Sequence, residues 1–182
     1  MVEIGKFNKL KAVRQMEFGM FLDGAEDGEI LLPRRYVKDD LKVGDEVEVF
    51  IHFDSEDRLT ATLDKPKAQV GEFASLMVKS VERVGAFLDW GLGKDLFLPF
   101  SEITRDIRMG QSVVVYLYLD KSDRIASTMR LEHHISKEPA NYTAGQEVNL
   151  LIVSKTDLGY KALINGAHWG MLYACLLYTS DA

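Results

Sequence analysis

The side chains of this chain that could do chemistry fall into two groups. The first would make or break bonds, or hold a metal. His133 and His134 are adjacent, and Cys175 is the one cysteine. A metal site needs further ligands at set spacings, and no cysteine or carboxylate stands at such a spacing from the histidine pair, so the pair reads as solvated. Neither a Gly-x-Ser-x-Gly elbow nor a Gly-rich phosphate loop is present. The carboxylates are scattered or sit in turns, not paired for acid–base work. We therefore expect no enzyme, no metal and no cofactor. The second group recurs. Gly19-Met20-Phe21-Leu22-Asp23 returns as Gly85-Ala86-Phe87-Leu88-Asp89, and the couple Asp54/Arg58 returns as Asp120/Arg124, each 66 residues later. A repeated set of this kind calls for a repeated scaffold.

That scaffold is legible in the same register. Gly5 falls on Gly71, Phe7 on Phe73, Leu32-Pro33 on Leu98-Pro99, Gly44 on Gly110 and Val47 on Val113, without a gap. Self-similarity at a fixed period marks a repeat architecture, so two tandem units are expected, over 1–66 and 67–132. Residues 133–142, with Lys137-Glu138-Pro139, read as a linker. A third unit opens at Gly145-Gln146-Glu147-Val148 and spans 143–174, with Leu158-Gly159 on Val84-Gly85. Gly170-Met171-Leu172-Tyr173 is placed on Asp95-Leu96-Phe97-Leu98 after a one-residue insertion. Against the second unit the third lacks about 31 residues (Pro99 to Arg130). It is expected to be a partial barrel with open edges.

Within each unit the hydrophobic period is two. Val47, Val49, Ile51 and Phe53 alternate with Glu46, Glu48, Phe50 and His52, and Val113 to Leu119 repeats the pattern. Such alternation marks half-buried strands, and the Asp-rich segments 54–57 and 120–123 are hairpin turns. Five short strands are expected per unit, in the first at 7–15, 18–23, 29–33, 46–53 and 58–63. A small closed barrel would remove their exposed edges. The fold class is therefore all-β.

Composition narrows the function. With 22 Lys+Arg against 28 Asp+Glu, a net charge of -6 and a pI near 5.3, a strongly basic, nonspecific polyanion binder is excluded. The longest apolar run, Val113 to Leu119, is far short of the ~18 residues of a membrane span. Met1 to Gly5 carries no secretory n-region. A single cysteine suits a reducing compartment, and a cytoplasmic, membrane-free protein is expected.

Gly-x-Phe-Leu-Asp, a short strand ending in Leu-Pro, then Gly-(Asp/Gln)-x-Val and Asp-x-x-x-Arg resemble the S1-type RNA-binding domain, a five-stranded OB-fold barrel. Tandem copies in a small acidic protein, with Leu-Pro and the segments 149–153 and 165–173, are similar to the conserved virulence factor B family of bacteria. That family carries three such barrels and then a winged helix, of which nothing is seen here. The resemblance implies a non-catalytic, cytoplasmic post-transcriptional regulator that binds single-stranded RNA. It also implies the ligand face: Phe18, Phe21, Asp54 and Arg58 in the first unit, and Phe87, Phe97, Asp120 and Arg124 in the second. The third offers Trp169 or Tyr173 with Lys161. Rings stack bases at about 1–3 kcal/mol each with little sequence preference, and Arg supplies a phosphate fork. Cys175 to Ala182 departs from the pattern and reads as a non-native tail, which would make the chain a fragment of a longer reading frame.

Three further expectations follow. Phe18 and Phe21 are three apart, so a bulge at Gly19 should turn both to one side; Gly85 and Gly159 should act alike. Val84 stands where Phe18 does, and Leu31 and Phe97 stand where many such domains have histidine, which weakens base contact. Residues 1–66 carry 10 basic and 15 acidic side chains, and residues 67–132 carry 9 of each. The second unit should therefore bind more tightly, with the first partly a spacer. Two alternatives stay open: single-stranded DNA as the ligand, and a protein-interaction scaffold using Tyr116 and Tyr118.

Overall fold

A computed structural model describes residues 1–174. The reading of 175–182 as a non-native tail, Cys175 included, lies outside these residues.

The chain is all-β: two closed five-stranded barrels and a three-stranded sheet, in chain order. The first barrel is built from β1 (Phe7–Met16), β2 (Gly19–Asp23), β3 (Glu29–Pro33), β4 (Glu46–Phe53) and β5 (Leu59–Thr62), in the order β1-β2-β3-β5-β4. The second repeats it with β6 (Phe73–Glu82), β7 (Gly85–Asp89), β8 (Leu96–Pro99), β9 (Ser112–Leu119) and β10 (Ile125–Thr128). Closure rests on a short parallel contact, β3 on β5 and β8 on β10. A hydroxyl reinforces each: Thr60 Oγ1 donates to the Leu31 carbonyl at 3.1 Å and Ser127 Oγ to that of Phe97 at 2.9 Å.

Period-two alternation places Met20, Leu22, Ile30, Leu32, Val49 and Ile51 in the first core, and Leu88, Leu96, Leu98, Val113, Val115 and Leu117 in the second. Phe50 departs from it. Alternation predicts an outward ring, and the ring is outward from its own barrel, yet it is 0% exposed. It packs edge-on against Trp90 of the second barrel at 5.7 Å and against Phe7 at 5.5 Å. The barrels thus bury apolar surface against each other, and backbone bonds join them: Val70 N–H donates to the Gly5 carbonyl at 2.8 Å, and Phe7 N–H to Gln69 Oε1 at 2.9 Å.

The expected bulge is present on the opposite strand. The register shifts between Ala12 and Arg14 of β1, between Val78 and Ser80 of β6, and between Ile152 and Ser154 of the third unit, so the extra residue is Val13, Lys79 or Val153. Gly19, Gly85 and Gly159 each start the facing strand and serve close approach. A Cβ on Gly85, which has φ +150°, would stand 2.2 Å from the Leu98 carbonyl oxygen.

The third unit is an antiparallel sheet of β11 (Leu150–Thr156), β12 (Gly159–Ile164) and β13 (His168–Tyr173). The one-residue insertion is not there. Lys161 faces Met171 and Gly159 faces Tyr173, as Phe87 faces Phe97 and Gly85 faces Pro99, so a constant offset of 74 relates the units. Between the second barrel and this sheet, His134 stacks on Tyr116 at 3.8 Å, and Ser136 N–H donates to the Ala167 carbonyl at 2.8 Å. Both histidines are exposed, as expected, and the His134 ring also lies on the barrel wall, where it and Phe73, at 5.0 Å, flank Tyr116. No helix among the described residues is long and apolar enough to cross a membrane.

Candidate functional site

In the second barrel β7 and β8 pair so that Phe87 and Phe97 stand directly opposite. Opposite residues of an antiparallel pair share a face, and alternation with buried Ala86, Leu88, Leu96 and Leu98 sends both rings outward. Their centroids are 5.4 Å apart and their planes differ by 33°. Both rings are half-buried and line a groove. The β9–β10 hairpin brings Asp120 and Arg124 to the same open groove of about 540 Å³, and Lys94 and Trp90 of the β7–β8 loop join them. All four residues expected in this unit therefore meet in one place.

The two carboxylates of the hairpins do something more local than expected. Asp120 Oδ1 accepts from Ser122 N–H at 2.7 Å and Arg124 N–H at 3.1 Å, and Asp54 Oδ1 accepts from Glu56 N–H at 2.8 Å and Arg58 N–H at 3.0 Å. One oxygen of each thus shapes its turn. The left-handed residues of these turns, Asp57 and Asp123, have φ of 58°, a conformation that Asp tolerates better than most residues. Burial would raise the Asp54 pKa, but the N–H donors of Arg58 and Glu56 and the Arg58 guanidinium hold it below the usual carboxylate range.

The arginines differ between the barrels. Arg58 lies between Asp54 (3.0 Å) and Glu56 (2.9 Å) of its own hairpin. The Arg124 side chain does not pair with Asp120; it reaches the first barrel and meets Asp57 at 2.9 Å. Lys94 Nζ also approaches Asp57, at 4.0 Å, and donates to the Asp54 carbonyl at 3.2 Å.

The first barrel does not assemble the same set. Phe21 faces Leu31, not a second ring. The Arg14 guanidinium lies 4.5 Å over Phe21 and is fixed by Glu29 at 2.7 Å. Phe18, 54% exposed in the β1–β2 turn, touches Phe21 edge-on at 5.9 Å. It borders a larger groove of about 810 Å³ with Arg34, Lys38 and Lys42, on which neither Asp54 nor Arg58 lies. Volume favours that groove. Its single ring and scattered charges favour the smaller one as the stacking site. In the third unit Lys161 covers the Trp169 ring at 3.9 Å and stands at the Phe87 position opposite Met171, so no ring pair forms.

Among the groove residues that escaped the sequence, His52 and Phe53 of β4 come from the first barrel. Alternation marks them only as residues near a strand end. The His52 ring bonds the Phe53 carbonyl through Nδ1 at 3.1 Å, and burial lowers its pKa below the ordinary histidine value. Trp90 could have been found, since it follows Gly85–Asp89 and its Nε1–H donates to the Lys94 carbonyl at 2.7 Å, closing the loop that carries Lys94.

With this geometry in view, comparison with known proteins gives three findings. The family model described as S1 domain matches residues 4–64 and again 70–130. Protein YitL of Bacillus subtilis (strain 168) is 43% identical over 90 residues, which cover 49% of this chain and 30% of that protein. The crystal structure of a multidomain protein with nucleic acid binding domains from Streptococcus pneumoniae superposes with a TM-score of 0.62 at 18% identity, covering 94% of this chain and 63% of that one. The chain therefore spans less than two thirds of either relative.

Proposed function

The chain belongs to the S1 domain family, and from that premise we propose that it is a nucleic-acid-binding protein that holds a single strand of RNA on the open face of its second barrel, by stacking and without chemistry. The observation that carries this reading is the Phe87–Phe97 pair at 5.4 Å, open to a groove edged by Arg124 and Lys94. Every base has a π-face, so such a platform accepts successive bases at about 1–3 kcal/mol each. The two cations edge the groove, where they would meet a backbone phosphate, and residues 67–132 carry an even charge against the net negative charge of residues 1–66, with Asp57 of the first barrel the carboxylate that opposes both cations. Asp54 and Asp120 are proposed to shape the hairpins that present Arg58 and Arg124. In the first barrel Phe18 and Phe21 are the secondary contact, because Arg14 already occupies one face of Phe21. The likeness to the virulence factor B family supports a cytoplasmic, post-transcriptional regulator as the biological role.

The test is a fluorescence titration of the intact chain with oligo-RNA and oligo-DNA at two salt concentrations. RNA is expected to bind, more weakly at the higher salt. Phe87→Ala and Phe97→Ala should each weaken binding by roughly 5- to 150-fold, the equivalent of one lost stack, and Phe18→Ala and Phe21→Ala by less. No RNA binding at low salt, or equal losses in the two barrels, rejects the reading. Equal affinity for DNA would replace RNA by single strands in general. The scaffold alternative loses one of its supports, because Tyr116 is covered by Phe73 and His134 of the same chain.

A further inference from the structure

We propose that the groove on the second barrel is a two-barrel site, and that His52 of the first barrel is the residue that reads the base seated on Phe87 and Phe97, selecting adenine or cytosine over uracil. The inference rests on the stacking role proposed above and adds to it a partner from another domain and a base preference.

The β4–β5 hairpin of the first barrel forms one wall of the groove because the barrels are held in register at several points. Phe50 is sealed against Trp90, Val70 bonds Gly5, Lys94 bonds the Asp54 carbonyl, and Arg124 meets Asp57. His52 and Phe53 lie between Phe50 and Asp54 on that strand, so the same contacts that dock the barrels place these two side chains against the groove. A volume of about 540 Å³ falls within the range of small-ligand sites, roughly 300–1,000 Å³.

The chemistry of His52 follows from its partner. A backbone carbonyl can only accept, so the nitrogen 3.1 Å from the Phe53 oxygen, Nδ1, carries the proton. In the neutral ring Nε2 is then an acceptor. It has no protein partner among the described residues, and no sealed side-chain nitrogen or oxygen among them lacks one, so Nε2 is open to solvent on a residue that lines the groove. The carboxylates in the same groove are otherwise engaged: Asp95 pairs with Lys79 at 3.0 Å, and Asp120 holds its turn. His52 is thus a neutral acceptor beside a stacking platform. Adenine and cytosine project an exocyclic amine that can donate to it. At the position of the cytosine amine uracil carries a carbonyl oxygen, which would face the Nε2 lone pair.

The decisive measurement is a titration of the full chain with a single-stranded oligo-adenosine and with the same oligomer carrying purine riboside, which keeps the ring and lacks the amine, for wild type, His52→Phe and Phe87→Ala. His52→Phe preserves a flat ring against Phe50 and removes the acceptor. Wild type should prefer adenosine by roughly three- to tenfold, the worth of one neutral hydrogen bond. His52→Phe should bind both oligomers equally, and Phe87→Ala should weaken both together. A preference unchanged in His52→Phe, or no preference in wild type, overturns the role of His52 while the stacking reading stands. No binding of either oligomer by wild type, with its fold intact by circular dichroism, overturns both.

Discussion

Among the described residues Asp57 is the one carboxylate that reaches across to both cations of the candidate groove, 2.9 Å from Arg124 and 4.0 Å from Lys94. All three side chains are about half exposed, and ion pairs of that kind contribute only ~0–1 kcal/mol. Asp57 also neutralises positive charge at the edge of the candidate groove, which would oppose a polyanion there. Asp57→Asn should leave the unfolding midpoint nearly unchanged and tighten RNA binding at low salt, with the gain vanishing at high salt as screening removes it; titrations at two ionic strengths measure this, and unchanged low-salt affinity refutes it. His52 gives a second residue-scale prediction. Burial lowers its pKa below the unfolded value of 6.5. Below pH 6.5 the unfolded chain therefore binds more protons than the native one, and stability falls as the pH falls. Its contribution is complete above pH 6.5 and lost toward the lower folded value. Urea unfolding at pH 7 and pH 5 should show a larger loss for wild type than for His52→Gln. His134, whose pKa burial and His133 also lower, titrates in both proteins and cancels from the difference.

At the scale of the element, the recurring glycine before each ring is explained by close packing. The strand pair β7–β8 brings the Leu98 carbonyl to within 2.2 Å of where a Cβ on Gly85 would sit, and that oxygen is backbone, which cannot swing aside. Gly85→Ala should therefore lower the unfolding free energy by ~2 kcal/mol or more, in the class of backbone strain. Gly93 is the control: nothing lies within 4 Å of its added Cβ, so Gly93→Ala should stay within ~0.5 kcal/mol. Thermal unfolding compares them, and equal midpoints for the two variants would defeat the argument. The glycine was legible in the sequence, and its reason was not. Period two reports which face a residue occupies. It does not say which of two paired strands carries the extra residue, and the extra residues are Val13 and Lys79 on the strands opposite.

Across the whole molecule, Phe50 decides how the barrels behave together. It is fully buried and belongs to the core of the second barrel while standing on a strand of the first. Replacing such a ring by Ala costs ~3–5 kcal/mol, well above the exposed ion pairs that also bridge the barrels. Phe50→Ala should thus lower amide-exchange protection in both barrels and release the hairpin wall of the groove. Protection lost in the first barrel alone would mean that the two fold independently.

The amino-acid sequence alone determined the repeat of 66 residues, the period of two, the five strands of each barrel and the ring, carboxylate and arginine positions of the second unit. Those features are local, because alternation and turn chemistry act between neighbours along the chain. Only the tertiary structure decided that Phe50 is buried, that Arg124 meets Asp57 instead of Asp120, and that His52 and Phe53 line the groove of the other barrel. Outward residues of one barrel look alike in a periodic pattern. Which of them becomes core or site depends on where the second barrel docks, and that placement rests on contacts between residues roughly 40 to 67 apart in the chain.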